Sequence, residues 1–398
     1  MDITIQPGKL SGTIAAIPSK SQAHRLLICA AFANSDTTLV CPETNRDIEA
    51  SVDCLNAMGA QIIRTQIGYD IDPIAQIPKT AVLNCCESGS TLRFLLPVVG
   101  ALGVDTTFQM AGRLPQRPLS PLWEEMERMG CTLSRPTETT LRCKGKLKSG
   151  NFSISGGISS QFITGLLFAA ALMDGDSQIS ITGKLESAPY VTMTQKALAL
   201  FGVRTKDFYM KGRQDFHTPG YITVEGDWSN AAFWLATQSL GSNVNVTNLN
   251  FNSAQGDRAV TEHLAALDGF ATIDATHTPD LVPILAITAG AKKGAKFINC
   301  ARLRLKETDR LETTAAMINS LGGKAVIESD TLMVDGTGYR GGIVDALNDH
   351  RIAMSSAIAA TVCRESVTIL NAHEVKKSYP GFWDDYKKLG GNYELYLR

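Results

Sequence analysis

Six times along its length the chain repeats an amphipathic segment that closes on a large apolar residue and glycine, then passes into a strand-like stretch. Ile48, Val52, Leu55 and Met58 precede Gly59; Leu122, Met126 and Met129 precede Gly130; Val191, Leu198 and Phe201 precede Gly202. The fourth copy, Val260, Leu264 and Leu267 before Asp268-Gly269, is the weakest, and the last two close on Leu321-Gly322-Gly323 and Leu389-Gly390-Gly391. Apolar residues spaced i, i+4, i+7 share one helical face, and glycine is favoured just past a helix end because it tolerates the left-handed backbone.

A second series runs between the first: nearly all-apolar helices opened by small, polar or charged residues, starting near Ser19, Ser88, Ser159, Asp227, Pro279 and Asn348. The intervals are 69, 71, 68, 52 and 69 residues, so the unit beginning at Asp227 is shortened. Each unit pairs a buried helix with a half-exposed one and adds short strands such as Gln178-Ile179-Ser180-Ile181-Thr182. Units of this length are small βα modules, and six of them divide into two groups of three around separate cores. The length of 398 residues agrees, since single cores stop growing below it.

The helix starts carry the chemistry. A helix N-terminus leaves four N–H groups unpaired and a partial positive charge, which attracts phosphate or carboxylate. Ser19-Lys20-Ser21 with Arg25, Ser88-Gly89-Ser90-Thr91 with Arg93, Ser159-Ser160-Gln161, and Asp349-His350-Arg351 all stand at such starts. Serine and aspartate are ordinary N-caps, but lysine and arginine there oppose the dipole, and buried ones require an anion. The loop Arg113-Leu114-Pro115-Gln116-Arg117-Pro118 and the segment Arg302 to Arg310 add further cations. Together they predict a small polyanionic ligand.

Other classes recede. Lys plus Arg number 38 against 39 for Asp plus Glu, so no global field selects nucleic acid. The nine cysteines lack CxxC spacing and the six histidines are far apart, which predicts neither disulfides nor a metal site and favours a reducing cytoplasm. The N-terminal residues do not read as a signal peptide, and the apolar runs are too short to span a membrane.

Four segments closely resemble the EPSP synthase family of enolpyruvyl transferases: Pro18-Ser19-Lys20-Ser21 with His24-Arg25; Ser88-Gly89-Ser90-Thr91-Leu92-Arg93; Arg304-Leu305-Lys306-Glu307-Thr308-Asp309-Arg310-Leu311; and Asp349-His350-Arg351 with Ala353-Met354. The resemblance covers essentially the whole chain. It implies an α/β fold, a two-domain inside-out barrel of six βαβαββ units, three per domain. The first domain is expected at 1–13 plus 227–398, the second at 14–226, with the ligands in the cleft between them. It implies enolpyruvyl transfer from phosphoenolpyruvate to shikimate 3-phosphate without a cofactor, by a cytoplasmic monomer.

Carried over residue by residue, Lys20, Ser21, Arg25, Ser159, Ser160, Gln161, Ser187, Tyr190, Asp280 and Lys306 match shikimate 3-phosphate contacts. Lys20, Gly89, Arg117, Gln161, Arg310, Arg351 and Lys377 match phosphoenolpyruvate contacts. Asp280 matches the base for the 5-hydroxyl, and Glu307 and Lys20 the proton-transfer partners. Two departures stand out. Glu87 precedes Ser88-Gly89 where the family usually has asparagine, and a carboxylate there repels phosphoenolpyruvate and glyphosate alike unless it points away or pairs with a cation. Arg302 stands where some members carry asparagine. The sister transferase for UDP-N-acetylglucosamine uses a loop cysteine that Gly112 to Pro118 lacks, and an inactive RNA-end binder requires a basic surface that a net charge of −1 does not supply.

Overall fold

Six nearly all-apolar helices form where the sequence opens its hydrophobic runs with polar residues: α1 (Lys20–Ala31), α2 (Gly89–Leu102), α3 (Ser160–Leu172), α4 (Trp228–Ser239), α5 (Val282–Ala291) and α6 (His350–Ala359). The structure, a computed structural model, describes residues 1–396. Ser19, Ser88, Ser159, Asp227 and Asp349 cap their helices, each side chain accepting from a backbone N–H of the first turn. The fifth start differs: a 3₁₀ turn, Pro279–Leu281, precedes α5.

The amphipathic series forms Arg46–Ala57, Leu122–Arg128, Ala188–Leu200, Val260–Ala266, Arg310–Ser320 and Phe382–Lys388. Gly59, Gly130, Gly202, Gly322 and Gly390 take positive φ just past these helices, whereas the weak fourth copy has no such glycine.

The strands answer to one plan. Thr80–Asn84 runs parallel to Asp105–Gln109, which is antiparallel to Thr140–Gly145, itself antiparallel to Cys131–Thr137. The same order recurs around α3 and around α5. Two modules borrow a strand: Tyr221–Thr223 pairs with Thr37–Val40 in the module of α1, and Asp2–Ile5 enters the hairpin of the last module between Val367–Leu370 and Tyr393–Tyr396. The shortened module of α4 keeps only the parallel pair Ser11–Ala15 and Asn243–Thr247. Its missing hairpin accounts for the 52-residue interval.

Six sheets result among the described residues, three to each of two compact units. One unit is Met1–Ile17 with the chain from Glu225 onward, the other is Pro18–Val224, and each has its own apolar core. The helices α1 to α6 lie inside and the sheets outside, with Ile63, Val82, Val326 and Ile343 on exposed strand positions. The first unit runs to Ile17 rather than residue 13, because the pairing of Ser11–Ala15 with Asn243–Thr247 holds the chain there. Its second segment opens at Glu225 rather than 227. No helix among the described residues is long and apolar enough to cross a membrane, and none of their His, Cys, Asp and Glu side chains form a group able to hold a metal ion.

Candidate active site

In the unit of residues 18–224, the N-termini of α1, α2 and α3 carry a set of cations and hydroxyls. Lys20 opens α1 and pairs with Asp47 at 2.8 Å. Arg25, one turn on, is buried, and neutral acceptors take most of its fork: Nη1 donates to the Ser21 carbonyl at 2.6 Å, Nε to Thr194 Oγ1 at 2.8 Å, and Nη2 to the Tyr190 carbonyl at 3.0 Å. Burial pulls its guanidinium down to about 10, against smaller support from Tyr190 and Cys29. These bonds brace α1 against the helix Ala188–Leu200, whose N-cap Ser187 is held in the left-handed region at φ 53. Ser21 and Tyr190 are thus tied to the same cation.

Gly89 opens α2 under two guanidinium groups. A Cβ at this position would lie 2.6 Å from Arg93 Nη1 and 2.9 Å from Arg117 Nη1, so only glycine lets both cations reach the helix start. Arg93 donates to Gln161 Oε1 at 2.9 Å and to the Pro118 carbonyl at 3.2 Å, while Gln161 Nε2 donates to Ser90 Oγ at 3.0 Å. The amide of Gln161 is therefore fixed in orientation. Arg117 Nε is buried without a hydrogen-bond partner among the described residues. Ser159 caps α3 and Ser160 is buried beside it. Beneath, a hydroxyl relay runs from His24 Nδ1 to Ser51 Oγ, from Ser51 to Thr91 Oγ1, and from Thr91 to Ser88 Oγ, each step 2.7 Å. Burial drives His24 down to about 3, so it sits there neutral. Glu87 turns its carboxylate against Gly112, filling space that a Cβ on that residue would occupy.

The unit of residues 1–17 and 225 onward builds a denser cluster. Arg310, at 1% exposure, bonds three carboxylates: Nη1 to Asp280 at 2.7 Å, Nη2 to Glu307, and Nε to Asp349 at 2.8 Å. Lys306 pairs with Asp280 at 3.0 Å. Arg351 donates to the Asp280 carbonyl at 2.9 Å and to Ser229 Oγ at 2.6 Å, with the Asp280 carboxylate 3.7 Å away. Lys377 donates to the Asn348 carbonyl at 3.0 Å and pairs with Glu374 at 3.2 Å. Burial alone would raise the Asp280 pKa, but Lys306, Arg351 and Arg310 outweigh it and hold the carboxyl well below the usual carboxylate range. Burial lowers Lys306, with Asp280 opposing the fall. Asp349, fully buried, is kept low by Arg310 against its own desolvation, and Thr308 Oγ1 donates to it at 3.1 Å.

The motif residues divide between the two units. Lys20, Ser21, Arg25, Gly89, Arg117, Ser159, Ser160, Gln161, Ser187 and Tyr190 belong to one unit; Asp280, Lys306, Glu307, Arg310, Arg351 and Lys377 belong to the other. Arg304 pairs with Asp309 at 2.9 Å and Glu312 at 3.1 Å, on a partly exposed side chain. Asp47, Ser229 and Asp257 were not foreseen. Asp47 lies 27 residues from Lys20, and Ser229 lies 122 from Arg351, so no local pattern announces either pairing.

A family model described as EPSP synthase (3-phosphoshikimate 1-carboxyvinyltransferase) matches residues 5–276 and 268–386. The 3-phosphoshikimate 1-carboxyvinyltransferase of Clostridium acetobutylicum is 40% identical over 418 residues, covering 98% of this chain and 97% of that protein. The enzyme of the same description from Clostridium beijerinckii is 37% identical, covering 99% and 98%. Among solved structures, EPSP synthase from Acinetobacter baumannii superposes with a TM-score of 0.81 at 20% identity over the whole of both chains. The enolpyruvyl transferase NikO from Streptomyces tendae superposes at 0.76 and 17% identity, covering 99% and 98%. At such identities these last two speak for the fold.

Proposed function

The chain belongs to the EPSP synthase family, and from that premise we propose how its residues divide the work. The enzyme transfers the enolpyruvyl group of phosphoenolpyruvate to the 5-hydroxyl of shikimate 3-phosphate, releasing phosphate, in aromatic amino-acid biosynthesis. Its two substrates are small anions, and each cluster supplies cations. The observation that carries the assignment is Arg117: a cation at a helix start, its Nε buried and without a partner, beside a glycine whose bare backbone N–H can approach a phosphate or carboxylate.

Phosphoenolpyruvate is assigned to Lys20, Gly89, Arg117, Gln161, Arg310, Arg351 and Lys377. Shikimate 3-phosphate is assigned to Lys20, Ser21, Arg25, Ser159, Ser160, Gln161, Ser187, Tyr190, Asp280 and Lys306. Asp280 takes the proton of the 5-hydroxyl as its oxygen attacks C2 of phosphoenolpyruvate, and Glu307 and Lys20 serve the proton added at the methylene carbon. The resulting tetrahedral adduct loses phosphate from C2 and a proton from the new methyl group. Proton transfers thus balance over the two steps.

Electrostatics support a timing for the base. In the cluster as it stands, three cations keep Asp280 ionised and weakly basic. Substrate phosphate and carboxylate groups that engage Lys306, Arg310 and Arg351 draw those cations away from it, and its basicity rises when the hydroxyl is in place. The chain is assigned to the cytoplasm and to action as a monomer without cofactor. Incubation with both substrates and measurement of released phosphate tests the function; release with UDP-N-acetylglucosamine as acceptor, and none with shikimate 3-phosphate, would reverse it.

A further inference from the structure

The cluster around Asp280 holds one carboxylate that the reaction as described leaves unused. Asp257 lies in the 3₁₀ turn Gly256–Ala259 and is 3% exposed. Ser229 hydrogen-bonds its side chain, and the same Ser229 Oγ accepts from Arg351 Nη2 at 2.6 Å. Arg351 in turn holds the Asp280 carbonyl through Nη1. A continuous path therefore runs from Asp257 through one hydroxyl to the cation assigned to phosphoenolpyruvate and on to the base.

The charges facing Asp257 come from three elements. Asp227 and Ser229 stand at the start of α4, Asp280 in the turn before α5, and Arg351 in α6. Beyond Asp280 stand its partners Lys306 and Arg310. Lys306, Arg310, Arg351 and Lys377 thus meet Asp280, Glu307, Asp349, Asp257 and Glu374, which leaves no surplus positive charge for a polyanionic substrate. A buried site in this state admits an anion only if a carboxylate is displaced or neutralised. Asp280 and Asp349 are pinned as anions by their cations. Asp257 is loosely held by comparison with these two: burial and then Asp280 push its carboxyl up to about 6, against Arg351 and Ser229.

We propose that Asp257 is a positioning residue for the reaction: acting through Ser229 and Arg351, it carries negative charge in the empty site and takes a proton from solvent when an anionic substrate engages Arg351. This rests on the assignment of Arg351 to phosphoenolpyruvate. Substrate charge on Arg351 removes the interaction that favours the Asp257 carboxylate and adds a like charge, so both changes raise its proton affinity. Binding is then linked to protonation and weakens as pH rises above about 6.

The test is the KM for phosphoenolpyruvate between pH 6 and 8 in the intact chain, for wild type, Asp257→Asn and Arg351→Ala. Asparagine mimics the protonated acid, so the ratio of wild-type KM to Asp257→Asn KM is expected to climb at least about threefold over that range, below the tenfold per pH unit limit of a single proton. The substrate's own ionisation cancels in the ratio. A packing role alone predicts a ratio independent of pH, and that result overturns the proposal. Ser229→Ala cuts the hydroxyl link and is expected to flatten the pH dependence; if Asp257→Asn does not fold, an unflattened profile in this variant overturns the proposal instead. Arg351→Ala separates the two layers. A raised KM there with a flat ratio rejects Asp257 alone, whereas an unchanged KM rejects the assignment of Arg351 as well.

Discussion

Replacing Arg310 by methionine removes the single cation that three carboxylates share while keeping much of the side-chain volume. Asp349 is 0% exposed at its side chain and Arg310 1%, so solvent cannot take over the lost contact. What remains for Asp349 is the Thr308 hydroxyl and the Arg351 N–H. Breaking a buried pair in this way costs about 3–5 kcal/mol, because an uncompensated charge stays behind. The sign of the pH dependence follows. In the wild type Asp349 is held below its ordinary value, so its contribution is present at neutral pH and is lost as pH falls through that lowered value. In the variant, burial without the cation raises Asp349, so the penalty is largest at neutral pH and shrinks as acid protonates the group. Urea unfolding followed by tryptophan fluorescence reads mainly the unit concerned, since Trp228, Trp234 and Trp383 lie in it and only Trp123 does not. The expected loss at pH 7 corresponds to roughly 6–20 °C in Tm at about 2–4 °C per kcal/mol. A loss below about 1 kcal/mol, or one unchanged between pH 7 and pH 5, would refute the reasoning.

Two further outcomes are expected from the same geometry. Asp280→Asn should fold but lose at least about 10²-fold in turnover, the lower range for removing a general base, and wild-type turnover in a phosphate-release assay would take Asp280 out of the mechanism. Gly89→Ala should still fold, with a melting temperature lowered by the displacement of the buried Arg93 from Gln161 and Pro118. Its Cβ forces Arg93 and Arg117 aside, and an affinity loss near 1.4 kcal/mol would raise the KM for phosphoenolpyruvate about tenfold; an unmoved KM would mean that neither guanidinium serves that substrate.

Much of the fold was legible because its signals are local. Ser19, Ser88, Ser159 and Asp227 announce their helices through N-caps, and Gly59, Gly130 and Gly202 mark helix ends through a backbone that other residues avoid. The short interval after Asp227 foretold a reduced module. What stayed hidden depends on distant pairing. Nothing in Asp2–Ile5 says that it completes a sheet made by residues 342–396, and nothing in Tyr221–Thr223 points to Thr37–Val40. The site followed the same division: Lys306, Arg310 and Arg351 sit in recognisable motifs, but their charge balance depends on Asp257 and Ser229, which carry no such mark. Arg25 was the subtler case. A buried cation was expected to need an anion, yet hydroxyls and carbonyls from Ser21, Thr194 and Tyr190 take most of its fork within the protein.

The backbone N–H of Asp227 donates to the carbonyl of Ile17 at 2.7 Å, and Ala16 N–H donates to Thr247. The points where the chain leaves and re-enters one unit are thus neighbours, separated by more than two hundred residues of sequence but by one hydrogen bond in space. Residues 18–224 are in effect a guest inserted at a closed seam of its host. Such an arrangement lets the host keep its strand pairing whatever the length of chain between Pro18 and Val224, because the stitch that closes the gap belongs entirely to the host.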